Sequence, residues 1–226
     1  AFFCPAYNDE GNLPDLIPVV VDFLKKHSLK YEITIIEDAS PDKTDEVADR
    51  LASEFENIKV IHHEKNMGYS STIKEGLKTA KYDYVMYTDG DNQYNVFDAE
   101  PYLNFLEKND IITGYSIKKA VSPFRIFQSW VHNRLINILF LNTFRDINCA
   151  LKIFKKEALD KMEINSSPKG ALIAAETMIK AKKMGYKIKQ FPVVHYERKS
   201  GIASGSKPEI VLNTMKDMIK LRLGFI

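Results

Sequence analysis

Three times in the first 80 residues a short apolar, β-branched run gives way to a stretch with helical spacing, and a fourth such run follows. The runs lie at 2–6, 31–37 and 58–61, and the fourth is Tyr84-Val85-Met86-Tyr87-Thr88. Between the first two, Leu16, Ile17, Val20, Val21 and Leu24 recur at helical spacing over 14–27, with Pro14 suited to a first turn. Val47, Ala48, Leu51 and Phe55 mark a second helix, for which Ser40-Pro41 offers an N-cap and a proline at the first helical position. A third helix spans 71–80, after the turn Asn66-Met67-Gly68. Parallel strands need long crossovers, so this alternation predicts an α/β fold whose mostly parallel central sheet carries helices on both faces. Neither G-x-G-x-x-G nor G-x-x-x-x-G-K-[ST] occurs, which excludes the dinucleotide fingerprint and the P-loop. A length of 226 residues, 45% hydrophobic and 27% charged, fits one domain over 1–226.

The acids fall where such a sheet binds ligands. Glu10, Asp38, Asp89 and Asp91 each stand just after a strand, and in open α/β sheets the carboxyl ends of the strands border the ligand crevice. The fourth run ends in Asp89-Gly90-Asp91, where Gly90 lets the chain bend and both carboxylates converge on one hard divalent cation. Aspartates that merely form a turn at a strand end are the competing reading. The gathering of four acids along one edge favours the ion.

The second half is less regular. A helical stretch at 98–107, a short strand at 110–113, a strand at 151–154, a helix at 174–184 carrying Glu176 and a last strand at 187–195 are expected. The segment 122–144 interleaves Phe124, Phe127 and Trp130 with Arg125, His132 and Arg134, which fits either a core helix pair or an amphipathic element at a membrane surface. From Ile111 to Arg145 there are five basic residues and no acid, and from Lys180 to Lys207 eight basic residues face only Glu197. Such stretches favour an anionic ligand or surface. The whole-chain balance of 32 basic and 30 acidic residues gives no case for a nucleic-acid partner. Two cysteines make neither a disulfide framework nor a zinc site and point to a reduced, cytoplasmic setting. No apolar run is long enough to span a bilayer and no signal peptide is present, although both ends look cut. The Gly/Ser-rich loop at 200–206 has a composition suited to mobility and to close backbone approach to a ligand.

Taken in order, several of these pieces form a known pattern. Pro5-Ala6-Tyr7-Asn8-Asp9-Glu10, Glu37-Asp38-Ala39-Ser40-Pro41-Asp42, Asn66-Met67-Gly68, Asp89-Gly90-Asp91-Asn92-Gln93, Asp146-Ile147-Asn148-Cys149-Ala150-Leu151-Lys152 and His195-Tyr196-Glu197-Arg198 run the length of the chain. Their sequence and spacing resemble family 2 glycosyltransferases of the GT-A fold, in the branch of dolichol-phosphate mannosyltransferase and polyprenyl-phosphate glucosyltransferases. Ala39 stands where that family usually has glycine, Asp9 where it has glutamate, and Lys118 near a usual Gly-Ser-Arg.

The resemblance implies a Rossmann-like sheet, with residues 1–95 binding the nucleotide sugar and 96–226 the acceptor. It implies that Pro5, Tyr7, Glu10, Asp38, Asp89 and Gln93 line the donor pocket, and that Asp89 and Asp91, assisted by Gln93, hold Mg²⁺ or Mn²⁺ on the diphosphate. Arg125, Arg198 and Ser204 would face the acceptor phosphate, and Asp89, Asp91 and Arg198 would carry catalysis. The expected reaction is an inverting transfer of one sugar, of GDP-mannose or UDP-glucose type, to a polyprenyl (dolichyl) phosphate at the cytoplasmic face of a membrane. Alternatives are transfer to a sugar hydroxyl, with Glu176 as base, an inactive nucleotide-sugar-binding module, and a nucleotidyltransferase. The last lacks its glycine-rich, lysine-bearing first loop, and processive polysaccharide synthesis lacks its Q-x-x-R-W signature.

Overall fold

A computed structural model describes residues 1–141, 143–168, 170–201 and 208–225. Its elements are β1 (Phe2–Ala6), α1 (Leu13–His27), β2 (Ile33–Glu37), α2 (Thr44–Glu54), β3 (Ile58–His62), α3 (Tyr69–Thr79) and β4 (Tyr84–Tyr87). A 3₁₀ helix (Val96–Glu107) precedes β5 (Ile111–Lys119), α4 (Pro123–Phe140), β6 (Lys152–Lys155), α5 (Lys156–Asp160), α6 (Ile173–Lys183), β7 (Ile188–His195) and α7 (Pro208–Leu223). The sheet runs β3-β2-β1-β4-β6-β5-β7. β1, β2, β3 and β4 are parallel, as the alternation predicts, and β5 pairs parallel with β7. β6 alone runs against both its neighbours, β4 and β5.

β1 and β2 are buried at every position, as strands covered on both faces must be. Their apolar runs meet Leu13, Leu16, Ile17, Val20, Val21 and Phe23 of α1 in one core. Phe3, Tyr87 and Phe154 stack in series across β1, β4 and β6, with centroids 5.1 and 6.2 Å apart. This aromatic column fixes the strand from which the acidic pair emerges.

Three elements differ from the sequence reading. The second helix starts at Thr44 rather than after Ser40. Glu37 takes up the Ala39 and Ser40 amides through its side chain (3.1 and 2.6 Å), so that stretch is a turn. β5 extends to Lys119, because its half-exposed second part pairs with β7 and therefore lacks the apolar signature of the first. Among the described residues of the segment 122–144 there is one helix, α4 (Pro123–Phe140), and not a pair. A helix not anticipated, α7, buries Thr214, Asp217, Met218 and Leu221 at helical spacing. Its outer face mixes Leu212, Met215 and Ile219 with Lys216, Lys220 and Arg222, and its buried face includes Thr214 and Asp217, which blurs the polar contrast that marks a surface helix. No helix of the described residues is long and apolar enough to cross a membrane.

Two small residues test the packing in opposite directions. A Cβ added at Gly76 would lie 2.1 Å from the Phe3 ring, so α3 sits on β1 only because position 76 is bare. Ala39 adopts φ +53°, a left-handed conformation in which its Cβ is strained by about 1 kcal/mol. Gly76→Ala is expected to lose about 2–3 kcal/mol to overpacking. Ala39→Gly is expected to gain about 0.5–1 kcal/mol. Urea melts of both variants give the two values, and opposite signs are the expected result.

Candidate active site

β4 ends at Tyr87, and the chain turns at once beneath the end of β1. Gly90 donates its amide to the Pro5 carbonyl at 3.0 Å, and a Cβ there would stand 2.7 Å from that same oxygen. The glycine is therefore required for close approach to β1, and its φ lies outside the left-handed region. The approach places Asp89 and Asp91 beside Asp9, which follows β1.

Two of these three carboxylates are closed off from water, and Asp89 is half-buried. Asp9 and Asp91 are 5% and 7% exposed. Burial pushes the Asp89 carboxyl up to about 7, the Asp91 charge adds to this, and Asp9 contributes further. Tyr69, at the start of α3, donates its hydroxyl to Asp89 Oδ1 at 2.9 Å and partly offsets the rise. Asp9 is raised chiefly by burial as well, against hydrogen bonds from the Tyr7 amide (3.0 Å) and Asn12 Nδ2 (2.8 Å). Arg198 Nη2 meets Asp91 Oδ2 at 2.5 Å, and its Nε is buried with no partner among the described residues.

Arg198 arrives on the segment that leaves β7, and that segment is fastened at three points. Gln93 donates its side-chain amide to the Tyr196 carbonyl (2.9 Å) and accepts the Tyr196 amide on its own carbonyl (2.8 Å). Ser200 exchanges bonds with the Asn12 side chain (3.2 and 3.3 Å), and Lys199 pairs with Asp15 at 2.5 Å. The loops after β1, β4 and β7 thus converge on one spot. Ser204 lies outside the described residues.

The donor set suits a hard cation. Three clustered carboxylates, two of them buried and Asp89 half-buried, face one guanidinium, and such an excess of negative charge is relieved by a divalent ion. No group of three or more His, Cys, Asp or Glu residues converges as a complete metal cage among the described residues. An Mg²⁺ or Mn²⁺ ion here would take one or two carboxylates, Asp89 and Asp91, and fill its shell from water or phosphate.

The other residues named from sequence are placed as follows. Pro5 is buried in β1, and Tyr7 is 37% exposed beside it. Glu10 accepts the Lys43 amide at 3.0 Å and so anchors the start of α2. Asp38 is 4% exposed and bonds its own chain, accepting from the Met67 and Gly68 amides (2.7 and 2.9 Å) and meeting His63 Nδ1 at 2.6 Å. Arg125 lies half-buried in the first turn of α4, with no ion-pair partner among the described residues. Glu176 is fully buried in α6 and not on the surface. It accepts from the Asn165 amide (2.7 Å), the Ser166 amide (2.8 Å) and the Ser166 hydroxyl, and pairs with Lys180 at 2.6 Å.

Sequence reasoning gave no role to Tyr69, His195, Lys119, Asp146 or Lys152, which complete the surroundings. Lys119 at the end of β5 pairs with buried Asp146 at 2.8 Å; burial opposes ionisation of that acid, but Lys119 outweighs it and holds the carboxyl below its ordinary value. Lys152, buried opposite Tyr87, donates to the carbonyls of Ile147 (3.1 Å) and Cys149, fixing the 146–150 turn. His195 packs edge-on against Tyr94 at 5.2 Å, and its Nδ1 is buried with no partner among the described residues. Polar residues inside otherwise apolar strand ends are the signal that marks Lys152 and His195.

Comparison with known proteins agrees with this geometry. The model of the family described as glycosyl transferase family 2 matches residues 2–162. A Trichomonas vaginalis protein named dolichyl-phosphate beta-glucosyltransferase is 28% identical over 97% of this chain and 71% of its own length. A Saccharomyces cerevisiae protein named dolichyl-phosphate beta-glucosyltransferase is 21% identical over 98% of this chain and 73% of its own. Among solved structures, glucosyl-3-phosphoglycerate synthase from Mycobacterium tuberculosis, in complex with Mn²⁺ and UDP-glucose, superposes with a TM-score of 0.73. The overlap covers 99% of this chain and 78% of that one at 16% identity, a likeness of fold. With an α/β sheet of the GT-A type and a family match over residues 2–162 of 226, the chain belongs to glycosyl transferase family 2 and is a glycosyltransferase.

Proposed function

We propose that the chain moves one sugar from a nucleotide sugar to a polyprenyl phosphate, at the cytoplasmic face of a membrane and with inversion at the anomeric carbon. The observation that carries this reading is the Asp89–Asp91 pair, half-buried and buried, with Arg198 on Asp91. It stands in a chain similar over nearly its whole length to two proteins named for dolichyl-phosphate glucosyl transfer.

The donor half follows from charge. Asp89 and Asp91 would hold Mg²⁺ or Mn²⁺, which offsets charge developing on the departing nucleoside diphosphate. Mn²⁺ accompanies UDP-glucose in the structural relative, which makes a UDP-sugar the first donor to test. Arg198 presents a guanidinium fork suited to phosphate oxygens and reaches them by leaving Asp91. Pro5 and Tyr7 line the approach, and Gln93 fixes the turn below.

The acceptor half follows from what is missing. A sugar hydroxyl needs a positioned base. Glu176, the carboxylate considered for that role, is buried and occupied by Asn165, Ser166 and Lys180. A phosphomonoester is anionic near neutrality, with a second pKa of about 6, and attacks unaided. Its oxygen bonds to the anomeric carbon as the bond to the diphosphate breaks. Arg125, Arg198 and Ser204 are the residues assigned to its charge.

The surface favours a lipid-borne acceptor. α4 exposes Phe124, Phe127 and Trp130, each about 60% or more exposed. α7 lies against α4 and exposes Leu212, Met215 and Ile219, with Lys216, Lys220 and Arg222 on the same helix. Aromatic and basic residues on an otherwise apolar face match a bilayer interface.

Two measurements test the reading. Asp91→Ala is expected to lower transfer about 10²–10³-fold and to abolish Mn²⁺-dependent binding of UDP-glucose or GDP-mannose. Full activity in that variant, or in EDTA, would overturn the metal assignment. Short-chain polyprenyl phosphate is expected to accept label, and the matching free alcohol is not.

Glu176→Ala is expected to act on stability instead. It strands Lys180 and two amides, at a loss of about 3 kcal/mol, with turnover per folded molecule retained. Burial alone would raise the Glu176 pKa, but Lys180 and the Ser166 and Asn165 donors outweigh it and lower it below the ordinary 4.5. Its stabilisation is therefore present above pH 4.5 and lost as pH falls through the lowered value. Thermal melts between acid and neutral pH read this out. Inactivity of a folded variant toward sugar hydroxyls, with no transfer to the phosphate in wild type, would move the protein to the hydroxyl reading.

A further inference from the structure

His63 follows β3, and its side chain is 9% exposed. Its backbone amide extends the ladder to the Glu37 carbonyl at 2.9 Å. Each ring nitrogen meets a carboxylate: Nδ1 lies 2.6 Å from Asp38 Oδ1, and Nε2 lies 2.7 Å from Glu75 Oε2 on α3. A carboxylate only accepts, so both nitrogens must carry protons, and the imidazolium alone satisfies both bonds.

Asp38 in turn carries the 66–68 turn. Oδ1 accepts the Met67 amide, Oδ2 accepts the Gly68 amide, and the Asp38 carbonyl accepts from Asn66 Nδ2 at 3.2 Å. A carboxylate offers about four lone-pair sites. Three are taken by the chain itself, which leaves one for a hydroxyl or N–H of a ligand. The residue after the turn is Tyr69, which donates to Asp89. One anchored turn thus sets both Asp38, in the donor crevice, and the hydroxyl that supports the metal-binding carboxylate.

We propose that His63 is a positioning residue for the nucleoside end of the donor: by bridging Asp38 and Glu75 it fixes the 66–68 turn on which base or ribose rests. This rests on the reading of the site as a nucleotide-sugar pocket. Burial alone would lower the His63 pKa, but the bonds to Asp38 and Glu75 outweigh it and raise it. The other charges around the ring are Glu64 and Lys65 on its own segment and Glu37 on β2. Glu37 and Asp49 of α2 engage the neighbouring His62, at 3.7 and 2.9 Å. Only the Asp38 and Glu75 carboxylates touch the His63 side chain among the described residues. The sign follows from the raised value. The clamp is complete below the ordinary histidine pKa of about 6.5 and is lost as pH rises through the higher folded value.

The test compares two ligands, UDP with Mn²⁺ and inorganic pyrophosphate with Mn²⁺, by calorimetry from about pH 6 to pH 9. Wild-type affinity for UDP is expected to fall about tenfold relative to pyrophosphate across that range. His63→Gln is expected to remove this difference and to bind UDP weakly at every pH. Glu75→Gln keeps an acceptor but removes a charge, so it is expected to shift the wild-type midpoint to lower pH. A purely structural role would not move that midpoint selectively. UDP binding left unchanged by pH and by both substitutions overturns this inference alone. A wild type that binds no nucleoside diphosphate at any pH overturns the donor reading, and this inference with it.

Discussion

Asp91 and Arg198 meet at 2.5 Å across 107 positions of sequence, and their pair joins the loops on which the site depends. A carboxylate withdrawn from water costs several kcal/mol unless a charge or a set of donors faces it. Here Asp9 and Asp91 are buried and Asp89 is half-buried beside them, with one guanidinium among them. Tyr69, Asn12 and the Tyr7 amide supply neutral donors and leave the excess charge in place. A divalent ion and a diphosphate bring charges of both signs, so each can take over half of what the ion pair does alone. On the proposed function, the stability of this site and its affinity for ion and donor would draw on the same residues.

Much of this was legible in the sequence because it follows from periodicity. The strands β1 to β4 alternate with α1 to α3, and parallel pairing puts their carboxyl ends on one edge. Glu10, Asp38, Asp89 and Asp91 were found that way, and so was the glycine between the last two. Its reason was misread, because the approach of Gly90 to Pro5 depends on which strands are neighbours and no local pattern encodes that. The same limit hid the reversed strand β6, whose four residues carry no directional signal. α7 was hidden for another reason, since polar and apolar residues occur on both its buried and its exposed sides.

Acids that look equivalent in sequence do different work in the structure. Glu10 anchors α2 and Glu37 anchors a turn through backbone amides, and Asp38 has three of its acceptor sites filled by its own chain and His63. Glu176 is filled likewise. Asp89 and Asp91 differ because, among the described residues, the side chains directed at them are a tyrosine hydroxyl and an arginine, with the Gln93 backbone amide on Asp91 alone. The tyrosine and arginine side chains can move aside or be exchanged for an ion, whereas an amide held in a turn cannot.

That distinction also bears on the acceptor. A base must have an open lone pair near the reacting oxygen, and Glu176 has none to spare. Cations ask for less, because a long flexible arginine can neutralise a phosphate from several positions. The basic residues between Ile111 and Arg145 sit on β5, α4 and the turn beyond, next to the exposed aromatic face of α4. An anionic head on an apolar tail matches that neighbourhood in both parts, the tail against the helix face and the head toward the arginines. A free sugar matches neither, since it brings no charge for the arginines and no apolar surface for Phe124, Phe127 and Trp130. On the proposed function, a chemistry that dispenses with a base and a surface suited to a lipid would select the same acceptor for independent physical reasons.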